Sequence, residues 1–97
     1  MPVGYFCTIT EGKSPNEAFE HAVSQAKHEF GDTGRTGTIA EKTIYTMATY
    51  ETLLEKDAQE LVEELRSTIY SNEHGPAGCV RILEKPKTYM FFGYSPS

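Results

Sequence analysis

Residues 2–10 and residues 14–31 follow two different hydrophobic periods, and that change of period limits the available folds more than any other feature. From Pro2 to Thr10, the side chains of Val3, Tyr5, Cys7 and Ile9 alternate with Gly4, Phe6, Thr8 and Thr10, the period of two that a pleated strand requires. Glu11-Gly12-Lys13 turns the chain. Ser14-Pro15-Asn16-Glu17 then combines an N-cap serine, a proline at the first helical position and a glutamate at the third. Ala18, Phe19, Ala22, Val23, Ala26 and Phe30 fall within about 140° of the helical wheel. Glu17, Glu20, His21, Ser24, Lys27 and His28 take the other side, and Gly31 ends the helix. A strand followed by a helix with one apolar stripe predicts a sheet with that helix laid on it.

The rest of the chain extends the pattern. Gly31-Asp32-Thr33-Gly34-Arg35-Thr36-Gly37-Thr38 is rich in glycine and threonine and reads as a loop. Thr38 to Ala48 is strand-like, but Ile39 and Ile44 have opposite parity, so a bulge or tight turn is expected near Glu41-Lys42. Glu-Lys is poor two-residue hairpin chemistry, which favours one bulged strand over two short ones. A second helix is expected from about Leu53 to Ser71, with Thr52 as cap, Glu55 completing a T-x-x-E box, and a stripe of Leu54, Ala58, Leu61, Val62, Leu65 and Ile69. After the breaker Asn72 to Gly78, Cys79–Leu83 and Tyr89–Tyr94 read as an antiparallel hairpin around Glu84-Lys85-Pro86-Lys87.

The order strand, helix, strand, helix, strand, strand predicts a single α+β domain over residues 1–97. The expected architecture is a two-layer α/β sandwich with both helices on one face of a four-stranded sheet, or five-stranded if residues 38–48 split. Large side chains occur in both parities of the strands, so the second face needs a cover. A homodimer packed through the sheets is one solution, with Tyr89, Phe91 and Tyr94 as partner-binding residues, and a ligand or another protein is equally compatible.

The charge balance narrows the partners. Fourteen acidic against nine basic residues give a net charge of -5, which opposes non-specific binding to nucleic acid. No run approaches 18 apolar residues and no basic-then-apolar leader opens the chain, so no membrane partner and a cytoplasmic location are expected. Two distant cysteines, Cys7 and Cys79, fit a reducing compartment.

No catalytic grouping, metal set or cofactor motif is expected. The candidate ligand-binding residues are Thr33, Gly34, Arg35, Thr36, Gly37, Thr38, Glu41 and Lys42, because backbone N–H groups, hydroxyls, an arginine and a lysine suit a phosphate or carboxylate. The loop follows a helix and leads into a strand, opposite to a Walker loop, so a plain connector explains the same letters. His21 and His28 are seven apart, roughly 10.5 Å along a helix, too far to share one zinc ion. Glu60, Glu63 and Glu64 read as solvated charge, and the cysteines as buried, weakly reactive thiols.

The strings Thr36-Gly37-Thr38-Ile39-Ala40-Glu41-Lys42 and Gly75-Pro76-Ala77-Gly78-Cys79, followed by Phe91-Phe92-Gly93-Tyr94, resemble a small α/β family of bacteriophages and bacteria. In that family an aromatic residue is expected before the Gly-Pro-Ala-Gly string, where this chain has His74. The resemblance implies no catalytic residue. Its phage setting implies a host-directed role in the host cytoplasm, such as neutralising a component or nucleotide signal of bacterial immunity. The expected function is therefore a non-enzymatic binding or inhibitory protein whose partner is a bacterial protein or a small phosphorylated ligand. The rivals are a small dimeric enzyme with a site assembled at the subunit interface from His74, Glu41, Lys42 and Cys79, and a structural or assembly module.

Overall fold

Ser14 does what its place in the sequence predicts: its Oγ accepts the Glu17 N–H at 3.2 Å and opens a helix that ends where Gly31 takes a φ of 88°. The computed structural model describes residues 3–31 and 36–96. Its elements are β1 (Val3–Glu11), α1 (Pro15–Phe30), β2 (Tyr45–Leu53), α2 (Glu55–Leu65), β3 (Ala77–Ile82) and β4 (Thr88–Pro96), with short 3-10 turns at Ile39–Glu41 and Ile69–Ser71. The fold is α+β, with two helices on a four-stranded mixed sheet of order β1-β4-β3-β2. The central strand β4 runs antiparallel to β1 and to β3, while β2 runs parallel to β3.

The helices do not share a face. Phe6, Cys79, Tyr89 and Phe91 pack with Ala18, Phe19, Ala22 and Ala26 of α1. Their strand neighbours of opposite parity, Val80, Ile82, Met90 and Phe92, pack with Ala58 and Val62 of α2 and with Tyr70. The expected two-layer sandwich is therefore a three-layer α/β/α sandwich. The reason is the direction of travel across the sheet. The chain passes from β1 at one edge to β2 at the other and then steps back to β3, and two right-handed crossovers in opposite directions must lie on opposite faces. The side chains in both parities are thus satisfied within one chain, and no exposed reverse face calls for a dimer packed through the sheets.

Several local expectations change as well. Residues 39–41 form a 3-10 turn, so β2 starts only at Tyr45, and its irregularity falls between Met47 and Thr52 instead of at Glu41-Lys42. Thr52 lies inside β2, so the T-x-x-E box does not form; Leu54 occupies the α2 cap, and the free Glu55 N–H is accepted instead by the Glu84 carboxylate from the β3–β4 hairpin. Helix α2 ends at Leu65, earlier than Ser71. In its stripe Ala58 and Val62 are buried, Leu61 and Leu65 half-buried and Leu54 exposed, while the Ile69 side chain lies outside the described residues. Phe30, placed in the α1 stripe by its spacing, is 57% exposed beyond the last turn that touches the sheet.

Candidate functional site

The described end of the glycine-rich segment spends its polar groups within the protein. Thr33, Gly34 and Arg35 lie outside the described residues. Beyond them, Glu41 Oε2 accepts the Thr36 N–H at 3.2 Å and the Thr36 hydroxyl at 2.6 Å, and Thr38 Oγ1 accepts the Ala40 N–H. The Gly37 N–H donates to Pro96 O at 2.7 Å, and Gly37 packs so close to Gly4 that a Cβ on Gly4 would lie 2.6 Å from its Cα. Lys42 is buried, and its Nζ donates to the carbonyls of Gly75 at 2.8 Å, Glu73 at 3.1 Å and Asn72 at 3.4 Å. Burial lowers its pKa, with the Glu73 carboxylate opposing. Glu41 and Lys42 are therefore turned inward as braces, leaving neither free to receive a ligand.

The aromatic candidates divide in the same way. Phe91 is 0% exposed and Tyr89 is buried, both under α1, so they are core residues and cannot meet a partner. Tyr94 is half-buried on the α2 face, and its hydroxyl accepts from Arg66 Nη2 at 3.2 Å and Nε at 3.3 Å. Within one chain the residues of the enzyme reading do not form one cluster: Cys79 is sealed in the α1-side core with its thiol pushed up to about 12 by burial, while His74 is exposed beside Glu73.

At the edge where β1 ends and α1 begins, the hairpin 84–87 closes a groove of about 620 Å³ with Lys13, Lys85 and Lys87. Glu11, Glu17 and Glu84 line it too, so its formal charges cancel and it offers an anion no net attraction.

The open edge of β1 is different. Its nine pairs with β4 run without a bulge, and no charged residue or proline occurs from Val3 to Thr10. The Gly12 N–H bonds Lys87 O at 2.9 Å, and the alternation of an antiparallel ladder from that point turns the N–H and C=O of Tyr5, Cys7 and Ile9 outward. Among the described residues no backbone group bonds them from outside, and the edge stops at Glu11, whose carbonyl meets His21 Nδ1 at 3.0 Å. The opposite edge, β2, is broken by its register irregularity and carries Glu51, the usual protection of an edge strand.

Two grooves flank this open strand. One, of about 480 Å³, lies between Tyr5, Cys7 and the α2 residues Lys56, Gln59, Glu60 and Glu63. The other, of about 450 Å³, separates the strand from Gln25, Glu29 and Phe30 of α1. Beside the first, the Arg66 guanidinium carbon sits 4.2 Å from the Tyr5 ring centroid, and the Tyr5 and Tyr94 rings are 5.3 Å apart. Burial, with a smaller push from Cys7, holds the Tyr5 phenol up at about 12 against the opposing Arg66. Tyrosine and arginine stacked beside an unpaired strand are the side chains that dominate protein interfaces. Sequence reading assigned Tyr5 to a plain strand; the signal it passed over was the uncharged run from Val3 to Thr10, next to the chain's first turn.

The chain matches no family model, no curated protein and no solved structure. Among the described residues no helix is long and apolar enough to cross a membrane, and no three acidic, histidine or cysteine side chains gather around a common point.

The two thiols are expected to behave oppositely. Cys7 is exposed and Cys79 buried, so a disulfide reagent at neutral pH should label one thiol in the native protein and two in urea. Rapid native labelling of both, read by intact mass, would show that the α1-side core opens readily.

Proposed function

We propose that the chain is a non-catalytic protein-binding module that takes an extended segment of another polypeptide onto the open edge of β1. The observation that carries this reading is the contrast between the two edges: β2 is interrupted and carries Glu51 within its paired span, whereas β1 is long and regular, with no charge before its terminal Glu11. Such an edge is an aggregation hazard unless something pairs with it. Strand addition would supply main-chain hydrogen bonds to the outward groups of Tyr5, Cys7 and Ile9, and the two grooves would receive alternate side chains of the added strand. The Tyr5–Arg66–Tyr94 stack would anchor the partner at one end. This keeps the expected class of a binding or inhibitory protein and moves its surface from the glycine loop and sheet face to one edge.

Photo-crosslinking tests it. With p-benzoylphenylalanine in place of Ile9, illumination of expressing bacteria should produce a protein adduct; the same residue in place of Tyr50, exposed on the other edge, should produce none. No adduct at Ile9 would overturn the proposal, and the adduct's mass identifies the partner.

A further inference from the structure

Resting on that reading, we propose that the strand added to β1 is β1 of a second copy, paired antiparallel about Cys7 so that two four-stranded sheets become one of eight. The geometry of the edge suits its own reflection. An antiparallel pair centred on a residue whose N–H and C=O point outward makes that residue a hydrogen-bonded pair with its own copy. Cys7 is such a residue. Centring there sets Tyr5 opposite Ile9 of the second copy and Ile9 opposite its Tyr5, and all of these have outward backbone groups, so the full set of donors and acceptors is matched. Parity is preserved too: Tyr5, Cys7 and Ile9 of both chains lie on the α2 face, and Phe6 and Thr8 of both lie on the α1 face.

Charge favours this meeting place. Two identical chains of net charge -5 repel, and the run from Val3 to Thr10 is where their backbones can approach with no charged side chain between them. The two-fold axis of such a pair stands perpendicular to the sheet. It lays the two α1 helices side by side on one face and the two α2 helices on the other. Phe30, 57% exposed, lines the groove between α1 and β1 that the second copy would adjoin. A nine-residue strand spans about 30 Å, and with the helices flanking it on both sides it is long enough to hide the roughly 800 Å² per partner of a stable interface.

Sedimentation equilibrium of the full chain, with two variants and an oxidant, decides the matter. The wild type should sediment at twice the 10.8 kDa chain mass. Cys7→Pro removes an outward N–H without taking a bond from β4, and Ile9→Lys places a charge opposite Tyr5 of the second copy from an already exposed side chain; each should weaken association about tenfold or more while leaving the circular dichroism spectrum intact. Copper-phenanthroline, the oxidant that removes two electrons and two protons from a pair of thiols, should link Cys7 to Cys7, because a hydrogen-bonded antiparallel pair holds its Cα atoms about 5.5 Å apart, within disulfide reach. The link should persist in Cys79→Ala and vanish in Cys7→Ser. A wild type that stays at the single-chain mass up to millimolar concentration overturns the inference, as does a dimer that both edge variants leave intact. A single-chain mass together with a foreign protein crosslinked at Ile9 rejects the second copy and leaves strand addition standing; a single-chain mass with no adduct rejects both.

Discussion

Gly78→Ala is expected to lower folding stability by about 3 kcal/mol, a loss of roughly two powers of ten in the folded-to-unfolded ratio. Gly78 of β3 lies directly across from Phe92 of β4, and the Phe92 ring folds back over it. A Cβ at position 78 would lie 2.3 Å from Cζ and 2.4 Å from Cε1 of that ring. The ring cannot retreat, because it is fully buried and the Tyr70 ring sits behind it at a centroid distance of 4.9 Å. The glycine is needed for this close approach, and a methyl group is the smallest change that tests it. Urea denaturation should show a lower midpoint at an unchanged slope. Phe92→Leu removes the clashing atoms, so in the Gly78→Ala background it should cost less than in the wild type, with a coupling of about 1–2 kcal/mol in the double-mutant cycle. A Gly78→Ala loss below about 0.5 kcal/mol would mean that the ring turns aside freely, contrary to the packing described.

That glycine also marks where sequence reading stops. Elements whose signals are local were legible: the alternation over 3–10, and Ser14-Pro15 with Gly31 at the two ends of α1, each act within a few residues of themselves. The start of α2 was not, because the group that satisfies its first free N–H is Glu84, 29 positions away in another turn. The Thr52 box satisfied every local rule and lost to a strand, since pairing of Thr52 with Arg81 and of Leu53 with Ile82 extends β2 through it. Strand order was the largest gap. Nothing in the letters says that the chain steps back from β2 to β3, and that one reversal decides that Met90 and Phe92 lie beneath α2 while Phe91 lies beneath α1. A sheet read as bare on one side is covered on both, and its unpartnered backbone lies at the β1 rim.

The candidate site was half legible for the same reason. The absence of charge from Val3 to Thr10 is a sequence fact, but it carries no meaning until the strand is known to stand at an edge. In a central strand the same letters describe ordinary burial; at a rim they describe a missing defence. The described end of the glycine loop differs in the opposite direction. Its hydroxyls and charges resembled a ligand cradle, yet Thr36 and Thr38 with Glu41 close on each other, and the one buried lysine beside them turns inward.

That lysine supplies the second large effect: Lys42→Met is expected to destabilise the fold by about 3 kcal/mol, although methionine retains most of the apolar stem. Three carbonyls of the 72–75 segment converge on Nζ, and none can be served by a thioether. The segment joins the 3-10 turn at Ile69–Ser71 to β3 and is otherwise held by few bonds, among them Gly75 N–H to Asn72 O and His74 N–H to Asn72 Oδ1, both local. Among the described residues, the hydrogen bonds of Lys42 tie it across the fold to the turn at Ile39–Glu41. Removing the ammonium therefore both strands the acceptors and frees the loop. Arginine should not restore the loss, because a planar guanidinium cannot direct its N–H groups into a pocket shaped for one nitrogen. Hydrogen exchange separates this from a general loosening: in Lys42→Met the amides of residues 72–75 should exchange far faster, while those of the β1–β4 ladder change only in step with global stability. Full stability in Lys42→Met, or exchange that rises evenly through the sheet, would show that the three carbonyls do not depend on this side chain.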